Sequence, residues 1–323
     1  MKPRITIIGL GRLGTSIGFA LKKSGAELEI IGHDKVRDVG NAAQKVGAVD
    51  RHDWNLYNAC DGAGMIVLSM PLAGVLETIE LLKNDVAPGV IVTDTAAVKV
   101  PVIEAARVFK PGVHFVGGHP IFRPKLDGAP SNATGDAELF RDADYCLTPT
   151  PETDADAVQV LTGYISMLGA KPLYLDVAEH DGLAAGAQQL AILMQAAFLQ
   201  TTTSSSGWRE LNKFAGDAYF RATELAAGDA NSTAQELRIQ QAPLQLWIDQ
   251  AMQTLREFKT QLAQPDGAAL EKTFKTMQMA REQWLANQVG TSTQAVDMSE
   301  VRSGATRMFL GGLATRLGGN KKK

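Results

Sequence analysis

The sequence predicts an α/β chain in which a sheet domain is followed by an all-helical one. Three observations carry that reading. Short apolar runs alternate with helical stretches through the first half of the 323 residues. The first run ends in Gly9-Leu10-Gly11-Arg12-Leu13-Gly14, where a strand hands over to a helix. After Asp176 strand signals stop, and apolar residues recur only at helical spacing. The pattern is that of a Rossmann-type parallel sheet domain over residues 1–176, a helical domain over 177–287 and a flexible tail over 288–323.

Residues 4–8 are an Ile-rich run of the kind that is buried on both faces of a parallel sheet. Residues 13–24 follow as a helix, with Ile17, Ala20 and Leu21 on one face. Leu28–Ile31, Met65–Ser69, Val90–Asp94 and Val113–Val116 repeat the strand pattern, with helices expected at Leu72–Leu82 and Val100–Phe109. A later strand–helix–strand unit comprises Tyr145–Thr148, a helix from Asp154 to Leu168, and Pro172–Leu175. Asp176 can cap the first helix of the second half, with Glu179 three residues on. Helical stripes then run through Leu190, Met194 and Phe198, through Leu244, Trp247 and Leu255, and through Leu270, Phe274 and Met277.

Composition narrows the class. Hydrophobic residues make up 45% and charged residues 21%, ordinary values for a globular chain. A net charge of −3 gives no reason to expect nucleic acid or an anionic membrane as partner. The only cysteines, Cys60 and Cys146, are far apart and in no metal-ligand spacing. That suits free thiols in a reducing cytoplasm, with no metal site. The start runs directly into a strand, so no signal peptide is expected, and no apolar run reads as long enough to span a bilayer.

The glycine motif points to a dinucleotide. Gly9 permits the tight turn, Gly11 lets backbone approach a pyrophosphate, and Gly14 lets helix and strand pack closely. The helix N-terminus adds free N–H groups and a favourable dipole. Asp34, twenty residues after the turn, would accept hydrogen bonds from the adenosine ribose and repel a 2′-phosphate. This favours NAD, although Lys35 and Arg37 could attract such a phosphate. Candidate cofactor contacts are Gly9, Gly11, Arg12, Leu13, Gly14 and Asp34, joined at later strand ends by Ser69, Pro71 and Asp94.

His119 follows Gly117-Gly118, read as a flexible pair after a strand. Ligands of open α/β sheets sit at such strand ends. The histidine can act there as a general base or simply bond within a turn; the residues alone leave both open.

Five blocks occur in the order seen in the prephenate/arogenate dehydrogenase family: Gly9–Gly14, Asp94-Thr95-Ala96-Ala97-Val98-Lys99, Gly117-Gly118-His119-Pro120-Ile121-Phe122, Glu179-His180-Asp181 and Gly207-Trp208-Arg209-Glu210-Leu211. The chain resembles that family over residues 4 to 285. The resemblance implies oxidative decarboxylation of a cyclohexadienol carboxylate on the route to tyrosine. A hydride would go to NAD(P), with His119 as base, in a homodimer built by the helical domain. Candidate substrate contacts are Arg123 and Lys125, in a Pro- and Gly-rich loop that reads either as closing over a substrate or as exposed surface, together with Gln188, Arg209, Lys213 and His180.

The substrate half departs from the family's pattern. Ala97 stands where a serine is usual, residues 187–192 contain no histidine, and Lys213 replaces an arginine, which loses the bidentate fork. Two alternatives therefore stand beside the family reaction: a dehydrogenase of another small carboxylate, and a dinucleotide-binding protein without turnover. Lys99 reads either as part of its block or as a surface residue at a helix end. His180 and Asp181 read either as cleft residues or as helix N-terminal charge.

Overall fold

The computed structural model describes residues 2–122, 134–224 and 230–290. Contacts divide it into two compact units, one comprising the chain up to Val177 and one spanning Ala178–Ala286.

In the first unit the described residues form an eight-stranded sheet: β1 (Arg4–Ile8), β2 (Glu29–His33), β3 (Arg51–His52), β4 (Met65–Leu68), β5 (Ile91–Asp94), β6 (His114–Ile121), β7 (Asp144–Thr148) and β8 (Lys171–Tyr174). Their spatial order is β3-β2-β1-β4-β5-β6-β7-β8. The chain moves outward from β1 to β3, then returns to the other side of β1 with β4. Such a reversal opens a crevice at the C-terminal ends of the two central strands. Helices α1 (Arg12–Lys23), α2 (Arg37–Lys45), α3 (Leu56–Cys60), α4 (Leu72–Leu82), α5 (Val100–Ala106) and α6 (Ala155–Leu168) connect the strands.

Strand alternation builds two cores. Ile5, Ile7, Met65 and Val67 point to one face, against Ile17 and Leu21 of α1 and Leu161 and Tyr164 of α6. Ile8, Ile66 and Leu68 point to the other, against Val75 and Ile79 of α4 and Val102 of α5. Burial on both faces is why these strands read as continuous apolar runs.

The structure adds elements and corrects others. α2, β3 and α3 were not expected. α2 packs through Gly40 and Ala43, which carry little apolar signal, and β3 is two residues long. β6 does not stop at Val116; it runs through Gly117-Gly118 to Ile121, so the expected flexible pair is strand. α5 ends at Ala106 rather than Phe109. The sheet is not wholly parallel, because β6 and β7 pair antiparallel, with His119 opposite Cys146.

The second unit is helical: α7 (Val177–Ala184), a π-helical turn (Ala185–Gln189), α8 (Leu190–Thr203), α9 (Trp208–Leu211), α10 (Asp217–Thr223), α11 (Ala230–Ile239), α12 (Gln241–Leu262) and α13 (Ala268–Gly290). At the π turn Trp247 packs so closely that a Cβ on Gly186 would lie 2.6 Å from its ring. The stretch Val177–Thr203 forms one helix of 27 residues, long and apolar enough by length and composition to cross a bilayer. The apolar run was not legible as such because Gly182, Gly186, Gln188 and Gln189 interrupt it. α13 continues to Gly290, three residues into the stretch expected as tail; the remainder of that stretch lies outside the described residues.

Candidate active site

The crevice begins at the first turn. Gly9 has φ +90°, and a Cβ there would lie 2.3 Å from the Ser69 carbonyl oxygen, so β1 and β4 meet through bare backbone. Gly14 packs onto the turn itself: its Cβ would fall 1.9 Å from Gly9 O. At Gly11 the opposite holds, since a Cβ would meet nothing within 4 Å among the described residues. Gly11 is the N-cap of α1 and makes no side-chain cap bond, and no acidic residue occupies the first turn. Among the described residues, therefore, the N-terminal donors and positive dipole end of the helix are uncapped by a side chain.

Asp34 lies just past the end of β2 and holds the turn from the side. Its Oδ2 accepts the Leu10 N–H at 2.8 Å and its Oδ1 the Val36 N–H at 2.8 Å. Each carboxylate oxygen keeps a second acceptor site for a ligand hydroxyl. Arg37 does not stand free beside it, because its guanidinium lies over the Trp54 ring, 5.1 Å from the centroid.

Ser69 closes the other side. It is 7% exposed, and its hydroxyl is buried with no hydrogen-bond partner among the described residues. Pro71 caps α4, which starts beside it with no side-chain cap bond. An uncapped helix end, open space at Gly11, an anchored carboxylate and an orphaned hydroxyl suit a polar anion with ribose hydroxyls. The residues present fit a dinucleotide.

His119 is 6% exposed in β6. The residues before it are clamped by a buried ion pair. Asp94 and Lys99 are both fully buried, and the Lys99 ammonium contacts Asp94 Oδ2. Lys99 Nζ also donates to Gly118 O at 2.7 Å. Asp94 Oδ1 accepts the Gly118 N–H at 3.1 Å, and Oδ2 accepts the Ala96 N–H at 2.9 Å. Of the two readings of Lys99 the surface one falls, and the Asp94 carboxylate, expected as a cofactor contact, is engaged by Lys99, Ala96 and Gly118. Nothing in the residue types revealed this pairing; the five-residue spacing of Asp94 and Lys99 was the available signal.

The remaining candidates lie outside the described residues of the first unit. Arg123 and Lys125 lie outside the described residues. In the helical unit His180 and Asp181 are buried, His180 Nδ1 lying 2.8 Å from Asp181 Oδ1. Gln188 sits in the π turn, and Arg209 and Lys213 are exposed. Neither Cys60 nor Cys146 is in a disulfide among the described residues; burial pushes the Cys60 pKa up to about 12, which keeps it protonated and unreactive.

Comparison with known proteins agrees with this geometry. The family described as "Prephenate dehydrogenase, nucleotide-binding domain" matches residues 17–174. A prephenate dehydrogenase of Lactococcus lactis subsp. cremoris is 35% identical over 181 residues, spanning 55% of this chain and 48% of that one. The "probable prephenate dehydrogenase NovF" of Streptomyces niveus is 30% identical over 281 residues, 82% of this chain and 73% of its own. The chain belongs to the prephenate dehydrogenase family. The fold of this family member is also that of an A. aeolicus prephenate dehydrogenase solved with hydroxyphenyl propionate and NAD+. The two share a TM-score of 0.77 at 20% identity, covering 88% of this chain and 98% of that one.

Proposed function

We propose that this dehydrogenase oxidises prephenate or arogenate with NAD, and that His119 is the general base. The observation that carries the reading is a nearly buried histidine in a strand of the same sheet whose switch point bears the dinucleotide turn. When bound, the nicotinamide supplies the hydride acceptor. Neutral His119 accepts the proton of the ring hydroxyl as the hydride leaves that carbon. The ring carboxylate departs as CO2, and its bonding electrons complete the aromatic ring. A cation must hold the substrate's carboxylates, since misplacing the ring forfeits the advantage of proximity. Candidates are Arg123, Lys125, Arg209 and Lys213, with Gln188 and His180 as further substrate contacts.

NAD over NADP follows from Asp34. Its carboxylate, anchored by the Leu10 and Val36 N–H groups, would accept from the ribose hydroxyls, while Arg37 is drawn to Trp54. Asp34→Ala is expected to raise the KM for NAD about tenfold, the equivalent of losing one charge-assisted hydrogen bond, and to narrow the preference over NADP. Steady-state kinetics with both cofactors checks this; an unchanged NAD/NADP ratio removes Asp34 from the selectivity.

We also propose a cytoplasmic homodimer. Only 17% of the most apolar 18-residue stretch of the helix Val177–Thr203 is buried. On α12, Leu255 and Leu262, two turns apart, are 53% and 69% exposed. Apolar surface of that extent calls for cover. The expected molar mass by light scattering is twice 34.5 kDa, and Leu255→Glu with Leu262→Glu is expected to shift it toward the monomer. A monomeric wild type would remove the dimer from this reading.

The direct test of the activity is NADH formation from prephenate and from arogenate, each with NAD and NADP. Turnover with one pair supports the family reaction. NAD binding without turnover points instead to another small carboxylate or to a non-catalytic role, as Ala97 and Lys213 would allow.

A further inference from the structure

β5 ends too early for the strand beside it. Its ladder with β6 spans only Ile91 to Thr93, opposite His114 to Val116. β6 continues to Ile121 with β7 along its other edge. On the β5 side the Gly118 N–H and C=O would be left without a strand partner inside the protein, which is costly. Two side chains take the place of the strand. Asp94 Oδ1 receives the Gly118 N–H and the Lys99 ammonium binds the Gly118 carbonyl, at 3.1 and 2.7 Å. That carbonyl belongs to the peptide bond joining Gly118 to His119.

The two glycines are part of the same construction. A Cβ on Gly118 would lie 2.6 Å from Asp94 O and 2.9 Å from Thr93 Oγ1. A Cβ on Gly117 would lie 3.1 Å from Lys99 Cδ and 2.5 Å from Thr148 Oγ1. Side chains there would push the clamp off the strand. The pair is a poor choice for stability alone. Removing two ions from water offsets most of what their attraction returns, and well-packed apolar residues of similar volume generally hold a fold as well or better. What an apolar pair could not do is bind both polar groups of Gly118 at fixed positions.

We infer that Lys99 and Asp94 are positioning residues for the reaction: they replace the strand that β5 does not supply, and so fix the Gly118–His119 peptide and the place of the imidazole. The inference rests on the reading of His119 as base.

The test uses the full chain with Asp94→Asn and Lys99→Gln together, which removes both charges without leaving either buried alone. Melting temperature, NAD affinity, kcat, KM and the pH profile are compared with wild type. The expected result is NAD affinity within about twofold and kcat lower by about a hundredfold, as a displacement on the order of 1 Å can produce. KM should move less, and the acid limb of the pH profile should be displaced. A merely structural role would instead lower NAD affinity and kcat together with the limb in place, and that outcome overturns the inference, as does wild-type kcat. Lys99→Met alone, which strands the Asp94 charge, should do more harm than the double change; the reverse order would also overturn it. Should the wild type turn over neither substrate, the function reading fails by itself. The His119 ring resonances, identified by their loss in His119→Asn, then decide the positioning: displaced in the double variant if the clamp sets the ring, unmoved if it does not.

Discussion

His119→Asn is expected to bring turnover close to the limit of detection and to leave NAD bound as in wild type. Asparagine keeps polarity and similar bulk in a slot that is 6% exposed, so the strand and its pairing with Cys146 survive. What it lacks is a group that takes up a proton near neutral pH. General-base catalysis contributes roughly 100- to 10,000-fold, and the expected loss in kcat/KM lies at the upper end because no water replaces the base in so enclosed a position. The check pairs an NADH-formation assay with an NAD titration by fluorescence. In the wild type turnover should fall as the pH drops and the imidazole takes a proton, since a charged ring cannot accept another; this acid limb should be missing from any residual activity of the variant. Retained turnover would remove His119 from the chemistry.

The three glycines of the first turn should separate into two behaviours. Gly14→Ala and Gly9→Ala place a methyl group 1.9 Å from Gly9 O and 2.3 Å from Ser69 O, in both cases against backbone that has no room to move. Gly9 also holds φ +90°, where an L side chain is strained. Each is expected to cost about 3 kcal/mol or more of folding stability, by overpacking and backbone strain together. Gly11→Ala meets nothing within 4 Å among the described residues and should melt close to wild type. Its methyl group enters the space over the α1 N-terminus, so NAD affinity should fall by about tenfold or more while the fold persists. Chemical denaturation beside NAD titration tells the two apart. A Gly11→Ala protein that binds NAD normally would show that the pyrophosphate does not approach there.

Legibility followed the physics of each signal. Strands β1, β2, β4 and β5 were visible because a strand covered on both faces is mostly apolar, as Met65–Leu68 is throughout and Ile5–Ile8 is apart from the buried Thr6. α2 and β3 were not, because Gly40 and Ala43 bury without an apolar signature and a two-residue strand has no period to detect. His119 was found as a residue but misplaced as to element. Gly-Gly reads as a break unless one knows that Asp94, Lys99 and Thr148 press against it.

What the sequence determined by itself is the local chemistry: a turn that only glycines can make, a carboxylate at the end of the second strand, and a histidine after two glycines. Each depends on neighbours in the chain, so residue type and spacing suffice. What only the tertiary structure decided is which distant groups answer one another. The Lys99–Asp94 clamp on Gly118 exists because β5 stops while β6 goes on, and Ser69 lies against Gly9 because β4 returns beside β1. Strand order and strand length set those meetings. Neither is written in any local pattern, because both follow from how two cores pack on opposite faces of one sheet.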